Sequence, residues 1–247
     1  MVIRSRLALA PALAILSACG TVGPPPVIDP ALSARVPPAT IALAGINLDQ
    51  LRASPLYAKS SAAIQSYLTP FANAHEVLIA STGTQIVAIA RGAVPGATVS
   101  APGIALYGDP QLIAAGTAQH PPAGILALAD SVAAAHPLWI ALRGGISLPL
   151  EGNAANLNNL LRATESVTIA IRPDDPAGID ITAQSATSAS AQHFEQSVRA
   201  LASLAAATSR DPEIAGALQA VAITRADRVV RIALRAPLSA FSAFLGR

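Results

Sequence analysis

Cys19 is the only cysteine in a chain of 247 residues, so no disulfide can form within it and any fold it adopts must be held by an apolar core. Beyond that one position there is no thiol for catalysis or for a cysteine metal site. The core material is abundant but small. Hydrophobic residues make up 52% of the chain, aromatics only 3%, and 56 residues are alanine. Such a composition favours helices and close packing and excludes a disordered chain.

Arg4 and Arg6 precede an apolar stretch, Leu7 to Leu16, of ten residues. That is half the length needed to span a bilayer as a helix, and it has the form of a secretory signal. It ends in Leu16-Ser17-Ala18-Cys19, which resembles the lipobox of bacterial lipoproteins. The resemblance implies that residues 1–18 are a cleaved signal peptide and that Cys19 takes a diacylglycerol on its thiol, with its amine open to a third acyl chain. Gly20 follows the cysteine in place of an aspartate. By the same analogy this implies a lipoprotein released to the outer membrane, facing the periplasm of the cell envelope. Each buried CH₂ contributes about 0.8 kcal/mol, so two or three chains together hold firmly. Removing Arg4 and Arg6 leaves 14 basic against 14 acidic residues. The mature chain therefore has no basic excess for nucleic acid.

Residues 20–38 contain Pro24, Pro25, Pro26, Pro30, Pro37 and Pro38, which removes backbone donors and biases the chain toward extended conformations. Residues 19–38 thus read as a lipidated cysteine and a proline-rich tether. The folded part follows as two αβ modules, 39–136 and 137–247. In the first, Thr40 to Ile46 reads as a strand and Leu48 to Phe71 as helical, restarting at Ser54-Pro55, with Ile64, Leu68 and Phe71 on its buried stripe. Val77 to Ala80 and Gln85 to Ala90 read as a hairpin, and Ile104 to Tyr107 as a strand before the helix start Asp109-Pro110. The second carries Leu138 to Leu142, a helix from Ala154 to Leu161 capped by Asn153, and strands Val167 to Ile171 and Ile179 to Ala183. A long amphipathic helix then places Phe194, Val198, Leu201 and Ala205 on one face. A helix starting at Asp211-Pro212, the strand pair Val221 to Thr224 and Val229 to Leu234, and a helix after Pro237 complete it.

This alternation predicts an α+β fold of two related strand-helix-hairpin-helix modules, resembling duplicated ferredoxin-like units. The segments Gly45 to Arg52 and Gly152 to Arg162 resemble those of uncharacterised envelope proteins of Acidobacteria, a resemblance that brings no activity with it.

Local chemical signatures are sparse. His75, His120, His136 and His193 have no metal-ligand spacing. His75-Glu76 reads as a solvated strand entry, and Asp174, Asp175 and Asp180 as a turn between strands, because their spacing does not fit a calcium loop. Arg143-Gly144-Gly145 offers glycines beside a cation, but reads as a strand exit more than as an anion cradle. Asn153, Asn156, Asn158 and Asn159 read as a capped helix with an amide-rich face. No motif sets a nucleophile beside its base, which leaves His75, Glu76, His136, Glu151 and His193 as acid–base candidates for any non-local active site.

The expectation is therefore a membrane-anchored envelope lipoprotein acting as a non-catalytic interaction or assembly module, without cofactor or metal. Its partners would be the membrane, through the acyl chains on Cys19, and an envelope protein or apolar ligand, but not nucleic acid. A carrier of a lipid or other apolar molecule and a hydrolase with a non-local active site are the alternatives.

Overall fold

The computed structural model describes residues 28–59, 62–118, 123–146 and 157–245. Cys19, Gly20, His120, Glu151, Asn153 and Asn156 lie outside them. Among the described residues ten strands form one sheet: β1 (Ala42–Asn47), β2 (Asn73–Ser81), β3 (Ile86–Ala93), β4 (Thr98–Ala101), β5 (Ile104–Gly108), β6 (Leu138–Arg143), β7 (Thr164–Arg172), β8 (Ala177–Ser185), β9 (Ala222–Ala226) and β10 (Val229–Ala236). The order is β4-β5-β3-β2-β1-β6-β7-β8-β10-β9, and every neighbouring pair is antiparallel. The fold is α+β. A ferredoxin-like unit contains a parallel pair joined by a βαβ crossover, and no such pair occurs among these strands. That part of the expectation is corrected to antiparallel five-strand halves, ordered 1-2-3-5-4 and 6-7-8-10-9 and joined where β1 pairs with β6.

Helices lie on both faces. On one, α1 (Pro30–Ser33) and α5 (Pro110–Ala118) pack over β3 and β5 of the first half, and α6 (Ala123–Ala133) packs across the seam on β1, β6 and β7. Leu32, Leu112 and Ile125 meet Leu43, Leu78, Ile89, Leu106 and Trp139 there in the largest core cluster. The opposite face carries α2 (Leu48–Arg52), α3 (Pro55–Ala58), α4 (Ala62–Leu68) with a 3₁₀ turn at Thr69–Phe71, α7 (Leu157–Arg162), α8 (Ser188–Thr208), α9 (Pro212–Gln219) and α10 (Leu238–Leu245). The expected helix starts are present. Ser54 accepts from the Tyr57 amide, Asp109 from Gln111 and Leu112, and Asp211 from Glu213 and Ile214, so each side chain satisfies a donor the first turn leaves free.

Three differences from expectation have physical causes. The tether does not extend to residue 38: Ile28, Leu32 and Val36 are buried in the core. Asp29 caps α1 and pairs with Arg91 of β3, and Gly116 of α5 lets the Arg35 carbonyl approach where a Cβ would stand 2.3 Å from it. Every third or fourth residue here is apolar, and the prolines sit between these anchors. Strand β4 and helix α6 are additional elements, formed from weakly polar, alanine-rich sequence whose burial depends on the neighbouring sheet. Finally, α8 buries Phe194 and Ala206 but exposes Leu201 and Ala205; the helix packs on α9 as well as on β8, β9 and β10, so its buried stripe is not the one a sheet alone would cover.

Candidate functional site

The two halves are not covered alike. Both faces of the first half carry helices, whereas α6 reaches only to β7 on its side, and no described helix packs on that face of β8, β9 or β10. The alternation of β8 follows from this. Ile179, Ile181 and Ala183 turn toward α8–α10, and Asp180, Thr182 and Gln184 turn to the open face, as period-2 side-chain direction requires.

Registers across β10, β8 and β7 arrange the open face as three rows: Arg231, Thr182 and Thr168; Ala233, Asp180 and Ala170; Arg235, Gly178 and Arg172. Asp180 stands at the centre with arginines at three corners. Arg172 reaches its Oδ2 at 3.0 Å and Arg235 its Oδ1 at 2.7 Å. Gly178 makes room for Arg235, whose side-chain atoms lie within about 3.1 Å of where a Cβ would be. Arg231 has no ion pair among the described residues, so three guanidiniums face one carboxylate.

Beside these rows a groove of about 310 Å³ opens between the sheet and α6, floored by Thr168, Ala170, Asp180, Thr182 and Arg231. Its other wall is Ser131, Val132, Ala135 and His136. The Nδ1 of His136 and the Nε of Arg172 are buried and without a hydrogen-bond partner among the described residues, an arrangement that costs free energy. The groove thus adjoins the surplus positive charge of the three rows and combines the floor hydroxyls of Thr168 and Thr182 with a wall that carries Val132 and Ala135.

Of the sequence candidates, the structure brings His136 and Asp180 together at this groove and separates the rest. His75 pairs through Nδ1 with Asp49 at 2.9 Å on the surface. Neighbouring Glu76 is half-buried opposite Arg91, whose guanidinium is engaged by Asp29, and burial pushes its carboxyl above the usual range. Asp174 and Asp175 lie exposed in the β7–β8 turn, where Asp175 meets Lys59, away from Asp180 on its strand. His193 is exposed on α8. The amides of Arg143, Gly144 and Gly145 donate to the carbonyls of Ile41, Glu165 and Leu161, so they form a tight strand exit and leave no amide for an anion. Asn159 accepts from Arg162. Arg172, Arg231 and Arg235 belong to no local motif, because each is an ordinary outward position of a strand; their common signal is period-2 alternation with isoleucine, valine and leucine.

The opposite face carries a contrasting feature. One row of paired residues runs across nine strands: Tyr107, Ala88, Ile79, Ala44, Ile140, Ile169, Ile181, Ile232 and Ile223. Its centre, from Ile79 to Ile181, is only half-buried.

Comparison with protein-family models and with curated proteins finds no match. A solved structure, crystal form I of TP0453, is similar over 88% of this chain and 96% of that one, with a TM-score of 0.43 at 9% identity.

Proposed function

We propose that this chain is a lipoprotein of the cell envelope, acylated at Cys19 and anchored to the outer membrane on its periplasmic side, whose folded domain is a non-catalytic interaction module built from two copies of one α+β unit. The observation that carries the module reading is the uneven helix cover, which leaves the charged face of β8, β9 and β10 open where the corresponding part of the first half is packed. The matching strand orders of the halves support the duplication. For anchoring, the support is distance. Only residues 20–27 separate Cys19 from the buried Ile28, at most about 28 Å when extended, so acyl chains at Cys19 hold the domain close to the lipid surface.

Metabolic labelling with a palmitate analogue tests the anchor: label is expected on the wild-type chain and absent from Cys19→Ser, and equal labelling of both overturns it. For the module, a photo-crosslinking residue at Thr182 is expected to give a discrete adduct in cells and one at Ser203 none. Equal patterns from both positions would remove the open face from the proposal.

The isoleucine row favours a second reading, carriage of an apolar molecule against the half-buried centre of the other face. Native mass spectrometry of the purified protein then shows a lipid-sized adduct that is lost on Ile140→Asp; adduct-free protein rejects the carrier.

A further inference from the structure

We propose that the three rows around Asp180 form an arginine basin whose open end binds a phosphate group, held by Arg231 with the hydroxyls of Thr168 and Thr182 beside it. This refines the binding-module reading of the same face, but it does not depend on acylation of Cys19.

Asp180 is the only acidic residue in the three rows, and each of its carboxylate oxygens is already taken by a guanidinium, one by Arg172 and one by Arg235. Arg231 is left exposed and without a counter-ion among the described residues. Asp180 therefore positions two arginines while the third remains available, and the basin keeps a surplus of two positive charges.

Geometry narrows the ligand. Arg231, Thr182 and Thr168 are direct neighbours across three strands, so their donors lie within two strand spacings, about 10 Å. The short hydroxyls and the flanking Ala233 leave the space over β8 and β10 open, while the end of α6 and the residues after it, up to His136, close the β7 side where Ala170 is buried. Donors thus approach from the sheet floor and from the long arginine arm. That suits an oxyanion with oxygens in several directions better than a flat carboxylate, and a guanidinium fork matches phosphate oxygens in pairs. The apolar wall, Val132 and Ala135, accommodates the carbon portion of a phosphate ester or a lipid headgroup.

The test uses the exported chain carrying Cys19→Ser, so that no acyl anchor contributes to binding. Inorganic phosphate is titrated while the arginine Nε–H and Thr182 amide resonances are followed by NMR, with chloride at matched ionic strength as control. Saturable shifts with a Kd near 1 mM are expected, weakened at least tenfold by Arg231→Ala and unchanged by Arg210→Ala, which alters an exposed arginine outside the basin. Circular dichroism verifies that each variant is folded, and Arg231→Lys, which keeps the charge, is expected to retain part of the affinity. Vesicles of phosphatidylglycerol and of phosphatidylcholine distinguish the sources. Arg231-dependent sedimentation with phosphatidylglycerol supports a lipid headgroup, and phosphate binding without sedimentation supports a soluble phosphate ester. Shifts that do not saturate, or that Arg210→Ala weakens as much as Arg231→Ala does, overturn the site. Because Cys19 labelling is measured separately, failure here is distinguishable from failure of the lipoprotein reading.

Discussion

Trp139 lies across Gly45, its direct partner on the neighbouring strand, so closely that a Cβ on the glycine would stand 2.2 Å from the indole ring. The pair sits where β1 meets β6, the seam that joins the two halves of the sheet. The chain's only tryptophan thereby packs into the core through the absence of a side chain opposite it.

Gly45→Ala is accordingly expected to destabilise the fold by about 1–3 kcal/mol, the usual cost of forcing extra volume into a filled core. In a Trp139→Leu background the same change is expected to cost much less. Urea unfolding followed by circular dichroism measures both, and equal costs in the two backgrounds would show that the indole is not the obstacle.

The segment before β1 belongs to the folded domain. Leu32 is fully buried, and Leu32→Ala is expected to cost about 3 kcal/mol. A chain beginning at Ala39, which lacks Ile28, Leu32 and Val36, is expected to melt on the order of 10 °C or more below one beginning at Gly20. Equal melting temperatures would restore the reading of residues 28–38 as a tether.

Glu195 on α8 meets Arg199 at 2.9 Å and Arg225 of β9 at 3.1 Å. The hydrogen bond from Arg199, with that from Arg225, holds its carboxyl below the usual range against the opposing effect of burial. A lowered folded pKa contributes stability that is fully present above the unfolded value, about 4.3, and is lost as pH falls through the lower folded value. Glu195→Gln is therefore expected to melt below wild type at pH 7 and to converge with it as the pH falls through the lowered folded value. Thermal unfolding across that range checks the sign; a gap that widens in acid contradicts it.

Glu76 has the opposite sign. Burial raises its carboxyl pKa, so its contribution to stability is present below the unfolded value and is lost as pH rises through the raised folded value. Glu76→Gln is expected to raise the melting temperature at pH 7, on the order of 2 °C, and to make no difference near pH 3. A lower melting temperature at pH 7 would mean that the ionised carboxylate is a net stabilising partner on that face.

The chain's local rules were legible in its residues. Ser54-Pro55, Asp109-Pro110 and Asp211-Pro212 start helices because a side-chain acceptor and a fixed φ act within one turn. Ile179, Ile181 and Ala183 alternate with Asp180, Thr182 and Gln184 because successive strand residues face opposite ways. What depended on distant partners was not legible. Ile28, Leu32 and Val36 resemble a proline-rich leader until β3 and α5 supply the surface they cover. Leu201 and Ala205 share a helical stripe with Phe194, yet only the placement of α9 decides that they stay exposed. His136, Asp180 and Arg231 lie 44 and 51 residues apart in succession, and no local spacing joins them; strand register and the end of α6 do. Period and capping are short-range properties written into neighbouring residues, whereas an uncovered sheet face and the groove beside it exist only once the whole chain has chosen which surfaces to bury.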